Sequence, residues 1–142
     1  MPFVWKNELS VGINDIDTQH KNFIEIMNEV FSRYYTLKIG NELMLLLDKL
    51  YHFAEFHFST EEFYFEHYNY EFKEEHIKEH RKLKQEIQSF INRCQNGEEI
   101  VTELIDFLES WLVDHLEGHD KKYAKIFAEK GYINNNALDE KK

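Results

Sequence analysis

The sequence predicts an all-α fold: an antiparallel up-down-up-down four-helix bundle with an N-terminal arm and a short C-terminal helix. Three observations carry that expectation. Proline occurs once, at Pro2, and glycine five times, so little interrupts long helices. Apolar residues recur at three- and four-residue intervals through four long stretches. No stretch shows the strict alternation of a half-buried strand. The 142 residues suit one domain, 1–142, with residues 1–14 as the arm and 132–142 as a polar tail that frays.

In the arm, Phe3, Val4, Trp5, Val11 and Ile13 are expected to anchor against the bundle, with Gly12 at a bend. Asn14 followed by Asp17 resembles an N-cap with an acid at its third position. Helix one is expected over about 15–37, with Ile16, His20, Phe23, Ile24, Met27, Val30 and Phe31 inward. Gly40 and Asn41 mark a turn. Helix two follows over about 42–65, with Leu43, Leu46, Leu47, Leu50, Phe53, Ala54, His57, Glu61 and Phe65 on one broad face. The residues at 69–71 read as the next turn. Helix three, about 71–95, carries Phe72, His76, Ile77, His80, Leu83, Ile87, Phe90 and Ile91, and Asn96-Gly97 ends it. Helix four, about 98–117, carries Ile100, Val101, Leu104, Ile105, Leu108, Trp111, Leu112 and His115. A shorter helix is expected to run from beyond Gly118 to Glu129.

Composition narrows the function. Seventeen basic residues against 27 acidic ones give a formal charge of −10, with no basic stripe, which disfavours nucleic acid as a partner. Cys94 is alone, so neither an intrachain disulfide nor a cysteine zinc site is expected. The longest apolar run, Leu43–Leu47, is far short of a membrane span. The N-terminus lacks a secretory pattern, so a cytoplasmic location is expected.

Five of the eight histidines fall on the inward faces: His20, His57, His76, His80 and His115. A buried imidazole needs a partner, and one alone is ordinarily a hydrogen-bonded core residue. Five on four helices are hard to satisfy except by metal. Residues four apart on a helix stack on one face, roughly 6 Å along its axis, so His57 with Glu61 and His76 with His80 can each grip one ion or two adjacent ions. In an antiparallel bundle, the start of helix one, the end of helix two, the start of helix three and the end of helix four meet in one layer. Glu61 can bridge two ions with its two oxygens. Helix four offers two further candidates. His119, four residues after His115, is the simpler α-helical neighbour, whereas Asp120 lies about 140° around an ideal helix. A widened π turn near Gly118 would bring Asp120 into line. Asp120 is preferred because a second carboxylate offsets charge on two adjacent cations.

His20 in IDTQHKNF, the His57/Glu61 and His76/His80 pairs, and His115 with Asp120 in WLVDHLEGHDKKY together resemble the hemerythrin family, in particular its bacterial members. The arm, VWKNELSVGINDID, is similar as well, so the resemblance spans about residues 3–132. The up-down-up-down bundle is known in that family, so topology and resemblance are not independent. The resemblance implies two non-haem iron ions per chain, bridged by oxo or hydroxo, that bind dioxygen reversibly. It implies that His76, His80 and His115 hold one iron, His20 and His57 the other, and that Glu61 and Asp120 bridge them. Dioxygen would enter at the iron with two histidines. Phe23, Phe58, Trp111, Leu112 and Leu116 are expected to wall a dry oxygen pocket, with Tyr123 packed over the site. Glu62 points away from the face of Glu61 and reads as solvated, and His52 and His67 read as surface or seam residues.

Oxygen carriage, storage or delivery to an oxygen-consuming partner is therefore expected, without catalysis. The sequence shows no signalling module, which sets a sensor role second. A di-iron oxidase, peroxidase or nitric-oxide-handling enzyme is the alternative. Such enzymes use Glu-x-x-His pairs and more carboxylates, and no histidine here has a glutamate three residues before it. A zinc hydrolase is disfavoured for want of a His-Glu-x-x-His pair and because seven candidate donors exceed what one zinc uses.

Overall fold

The computed structural model describes residues 3–33 and 41–133, the side chains of Asn41, Leu112 and Val113 excepted. The expected turn at Gly40, the last residues of helix one to 37, and the tail from 134 onward lie outside the described residues. Among the described residues every regular element is helical and none is a strand. Helix α1 spans Asn14–Ser32, α2 Asn41–His67, α3 Lys73–Gln95 and α4 Val101–Leu112. A π-helical segment, Val113–Asp120, then leads directly into α5, Lys121–Glu129. The arm holds one short 3-10 turn, Asn7–Leu9. Helix α2 packs against α1 and α3, and α1 also meets α4, as in a helical bundle.

The helix ends show why the chain turns where it does. Asn69 takes the left-handed conformation (φ 51°), which asparagine tolerates better than most residues. The Tyr70 N–H then reaches back to the Phe65 carbonyl at 2.8 Å, and the two rings meet with centroids 5.1 Å apart. That pairing of a reversed residue with an apolar clasp closes α2 as a Schellman motif. Gly97 (φ 84°) closes α3 with the same backbone pattern, the Glu98 N–H donating to the Arg93 carbonyl at 3.0 Å, but with an Arg93–Glu98 ion pair where α2 has its apolar clasp.

The start of α1 departs from the expected cap. Asn14 lies inside the helix, and Ile13 precedes it without a side-chain cap. Asp17, 1% exposed, instead accepts from Ser10 Oγ at 2.5 Å and from the Val11 N–H at 2.8 Å. Lys121 Nζ donates to the Ser10 carbonyl at 3.0 Å. A buried acid thus fastens the arm to α1, and α5 holds the same loop. Within the arm Val11 and Ile13 are buried and Phe3 and Trp5 pack on the bundle, but Val4 is 71% exposed and anchors nothing.

Two apolar clusters form. The larger fills the bundle with Leu43, Leu47, Leu50, Ile87, Leu104, Leu108 and their neighbours. The smaller joins Val11, Ile13 and Ile16 to Phe65, Tyr70, Tyr123, Ala124 and Phe127. The buried polar residues lie between them.

Candidate metal centre

Four stretches deliver the inward polar groups. Helix α1 brings His20, α2 brings His57 and Glu61, α3 brings His76 and His80, and the π-helical segment brings His115 and Asp120. None of the seven is more than 3% exposed. In the π segment, hydrogen bonding from residue i to i+5 widens the turn, so residues five apart approach the same face. His115 and Asp120 have that separation, and their side chains meet at 3.2 Å. His119 is exposed, its ring 5.6 Å from that of His76, and His52 and His67 are exposed on α2.

All five rings aim Nε2 at the two carboxylates. Glu61 Oε1 lies 3.0 Å from His80, 3.2 Å from His115 and 3.4 Å from His57. Asp120 Oδ2 is 3.0 Å from His20, and its Oδ1 is 3.2 Å from both His76 and His115. His20 and His57 bring their Nε2 atoms within 3.0 Å of each other. The donor atoms fall into two overlapping groups, each with all its atoms within 4.8 Å of one another. One comprises His20, His57, Glu61, His115 and Asp120, the other Glu61, His76, His80 and His115.

The electrostatics fit a cation. Burial pushes His57 down to about 4 and His76 down to about 2, with neighbouring imidazoles adding to the effect against the pull of Glu61. Burial also lowers His20 and His115. These rings are therefore neutral, the form that donates a lone pair to a metal. His80 is raised instead, because hydrogen bonds to Glu61 and Glu62 outweigh its burial. Burial would raise Glu61, but the imidazoles around it hold it well below the usual carboxylate range. Asp120 is pushed well above that range by burial and by the charge of Glu61. Meanwhile His76 Nε2 and both Asp120 oxygens are buried without a well-oriented hydrogen bond. Orphaned donors and crowded carboxylates at one point are what a bound divalent ion relieves. Imidazole nitrogen with carboxylate oxygen is a donor set that suits iron.

Three supporting hydrogen bonds escaped sequence reasoning. Glu62, read as solvated, accepts a hydrogen bond from His80 Nδ1 at 2.8 Å. Gln19 Oε1 accepts from His57 Nδ1 at 2.8 Å, while its amide nitrogen donates to Thr60 Oγ1 at 3.0 Å. Tyr123, expected only to pack, donates its hydroxyl to Glu61 Oε2 at 2.6 Å. The available signal was position: Gln19 adjoins His20 and Glu62 adjoins Glu61.

Aromatic rings close the layer. Phe58 stacks on His80 at 4.1 Å and Trp111 on His115 at 4.7 Å. Phe65 covers His76 at 4.7 Å from the other side. Beside His57 lies an apolar cavity of about 10 Å³, walled by Phe23, Phe53, Phe58, Leu108 and Trp111 among others. That is close to the least space that holds one water-sized molecule. Leu116 is buried in the main cluster but is not part of this wall, and the side chain of Leu112 lies outside the described residues.

Known proteins resemble this chain over most of its length. Residues 11–127 match the family model described as the hemerythrin HHE cation binding domain. A bacteriohemerythrin of Clostridium acetobutylicum is 32% identical over 126 residues, covering 85% of this chain and 98% of its own. One from Stenotrophomonas maltophilia is 31% identical, covering 85% of this chain and 78% of its own. A hemerythrin-like protein of Naegleria gruberi is 28% identical, covering 88% and 93%. A matched cation-binding domain and a buried layer of histidine, glutamate and aspartate together support binding of non-haem iron. With most of its length matched, this chain belongs to the hemerythrin family.

Proposed function

We propose that the chain holds two iron ions in the histidine layer and binds dioxygen reversibly there, as a carrier, store or supplier rather than as an enzyme. The observation that carries this reading is the pair of overlapping donor groups sharing Glu61 and His115, set against an apolar cavity at His57. Iron held there would supply, when reduced, the two electrons that dioxygen binding takes up. His76 and His80, with His115, would hold one ion, and His20 and His57 the other. Glu61 and Asp120 would bridge, since each lies within reach of histidines from both sides. The antiparallel up-down-up-down path accounts for four separate stretches reaching one depth.

The chain's own groups then have definite tasks. Tyr123 holds Oε2 of Glu61 with its hydroxyl proton, which leaves Oε1 turned to the imidazoles. Phe23, Phe58 and Trp111 exclude water around His57, which suits a small apolar ligand. No described helix is long and apolar enough to cross a membrane.

Iron analysis with optical spectroscopy tests this. The reduced protein should contain about two irons per chain, gain a visible band in air and lose it on deoxygenation, over repeated cycles. Irreversible bleaching, or consumption of an added reductant on every cycle, would replace the carrier with the oxidase reading. His57→Ala should abolish the band while His52→Ala retains it, and equal losses would refute the role given to His57.

A further inference from the structure

We infer that Gln19 and Glu62 are positioning residues that present His57 and His80 as metal donors of unequal strength. This inference rests on the two-ion reading above.

The hydrogen bonds fix which nitrogen of each ring is bare. Thr60 Oγ1 donates to the Phe56 carbonyl at 3.0 Å, a group that can only accept. The Thr60 oxygen must then accept from the Gln19 amide nitrogen, which turns Gln19 Oε1 to His57. His57 Nδ1 therefore carries the proton, and its Nε2 lone pair faces the centre. Glu62 is an acceptor, so His80 Nδ1 carries a proton by the same logic. The matching Nδ1 atoms of His20 and His115 are buried without partners, so this support is selective.

The two supports differ in charge. A carboxylate on Nδ1–H draws the proton toward itself and makes the opposite nitrogen a stronger donor, whereas a neutral amide orients the ring with less effect. His80 belongs to the group with His76, and His57 to the group beside the apolar cavity. The His76–His80 side is therefore the tighter metal position, filled first, and the His57 side the more weakly held one. That is the order expected if the position facing the cavity is to keep a free coordination place.

Cobalt(II) provides the test, with affinity read by chelator competition on the full-length metal-free protein at one neutral pH. Glu62→Gln keeps the shape and removes the charge, and should weaken the tighter site about 10-fold. Gln19→Glu adds the charge, with the Thr60 hydroxyl free to rotate toward it, and should tighten the weaker site. Equal weakening by both variants, or no change from Glu62→Gln, overturns the inference while leaving the two-ion reading intact. A wild-type chain that takes up no cobalt overturns both. Nitrogen-15 spectra of the zinc-loaded wild type need no variant: His57 and His80 should each show a protonated Nδ1, and an unprotonated Nδ1 on either ring also overturns it.

Discussion

The apolar residues on the two sides of the histidine layer are unlike. Toward the bundle they are mainly aliphatic, with Leu43, Leu47, Leu50, Ile87 and Leu104 fully or nearly fully buried. Toward the arm half of the buried residues are aromatic, with Phe65, Tyr70, Tyr123 and Phe127 in edge and tilted contact. Aliphatic chains stabilise by volume and shape, and neighbours relax around a loss. Aromatic rings add direction, and Tyr123 adds a hydrogen bond to Glu61. Both sides set rings against the imidazoles, and the arm side adds through Tyr123 a hydrogen bond that orients Glu61.

The largest effects should separate the two sides. Phe65→Ala removes a ring that touches Tyr70, Tyr123, His76 and His80. A loss of about 3–5 kcal/mol in denaturant unfolding is expected, together with reduced iron retention on dialysis. Leu47→Ala in the bundle should lose about 2–5 kcal/mol yet keep its iron. Equal iron loss in the two would erase the distinction. Tyr123→Phe keeps the packing and deletes the donor to a buried carboxylate, for a cost of about 1.5–3 kcal/mol and a shifted iron spectrum.

A smaller change of opposite sign is expected from Asp120→Asn in the metal-free chain. Burial and Glu61 raise the Asp120 pKa in the fold, so wild-type stability falls as pH rises above the ordinary aspartate range. The asparagine variant lacks that loss. Its melting temperature should exceed the wild type's at neutral pH, with the gap closing as pH falls toward that range, while its iron pairing fails. A gap that stays constant with pH would contradict the placement of this carboxyl. Least of all, Gly118→Ala meets no atom within 4 Å of its new Cβ, and should raise stability by about 0.4–1 kcal/mol at unchanged iron content.

Much of this could be read from spacing. The inward histidines were legible because helical periodicity is a property of one segment, and burial of several imidazoles on separate segments demands a common explanation. The His115–Asp120 interval was informative because it breaks the α-helical rule, and the chain widens its turn there. Glu62 was illegible for the converse reason. A helical wheel places it about 100° from Glu61, toward solvent, but His80 on the neighbouring helix reaches round to it. Asp17 was misread because a capping pattern is local, whereas its partners, Ser10 and Val11, come from the arm on the far side of a bend.

The widened turn between α4 and α5 has a mechanical consequence. A one-residue deletion within Val113–Asp120 would let the chain continue as an ordinary rod, at little cost in backbone hydrogen bonding. Straightened into an α-helix without that deletion, the same segment would rotate everything downstream by about 100°, carrying Tyr123 and Phe127 out of their seats. The loop of excess backbone acts as a phase adjuster, matching the register of the last helix to that of the other four.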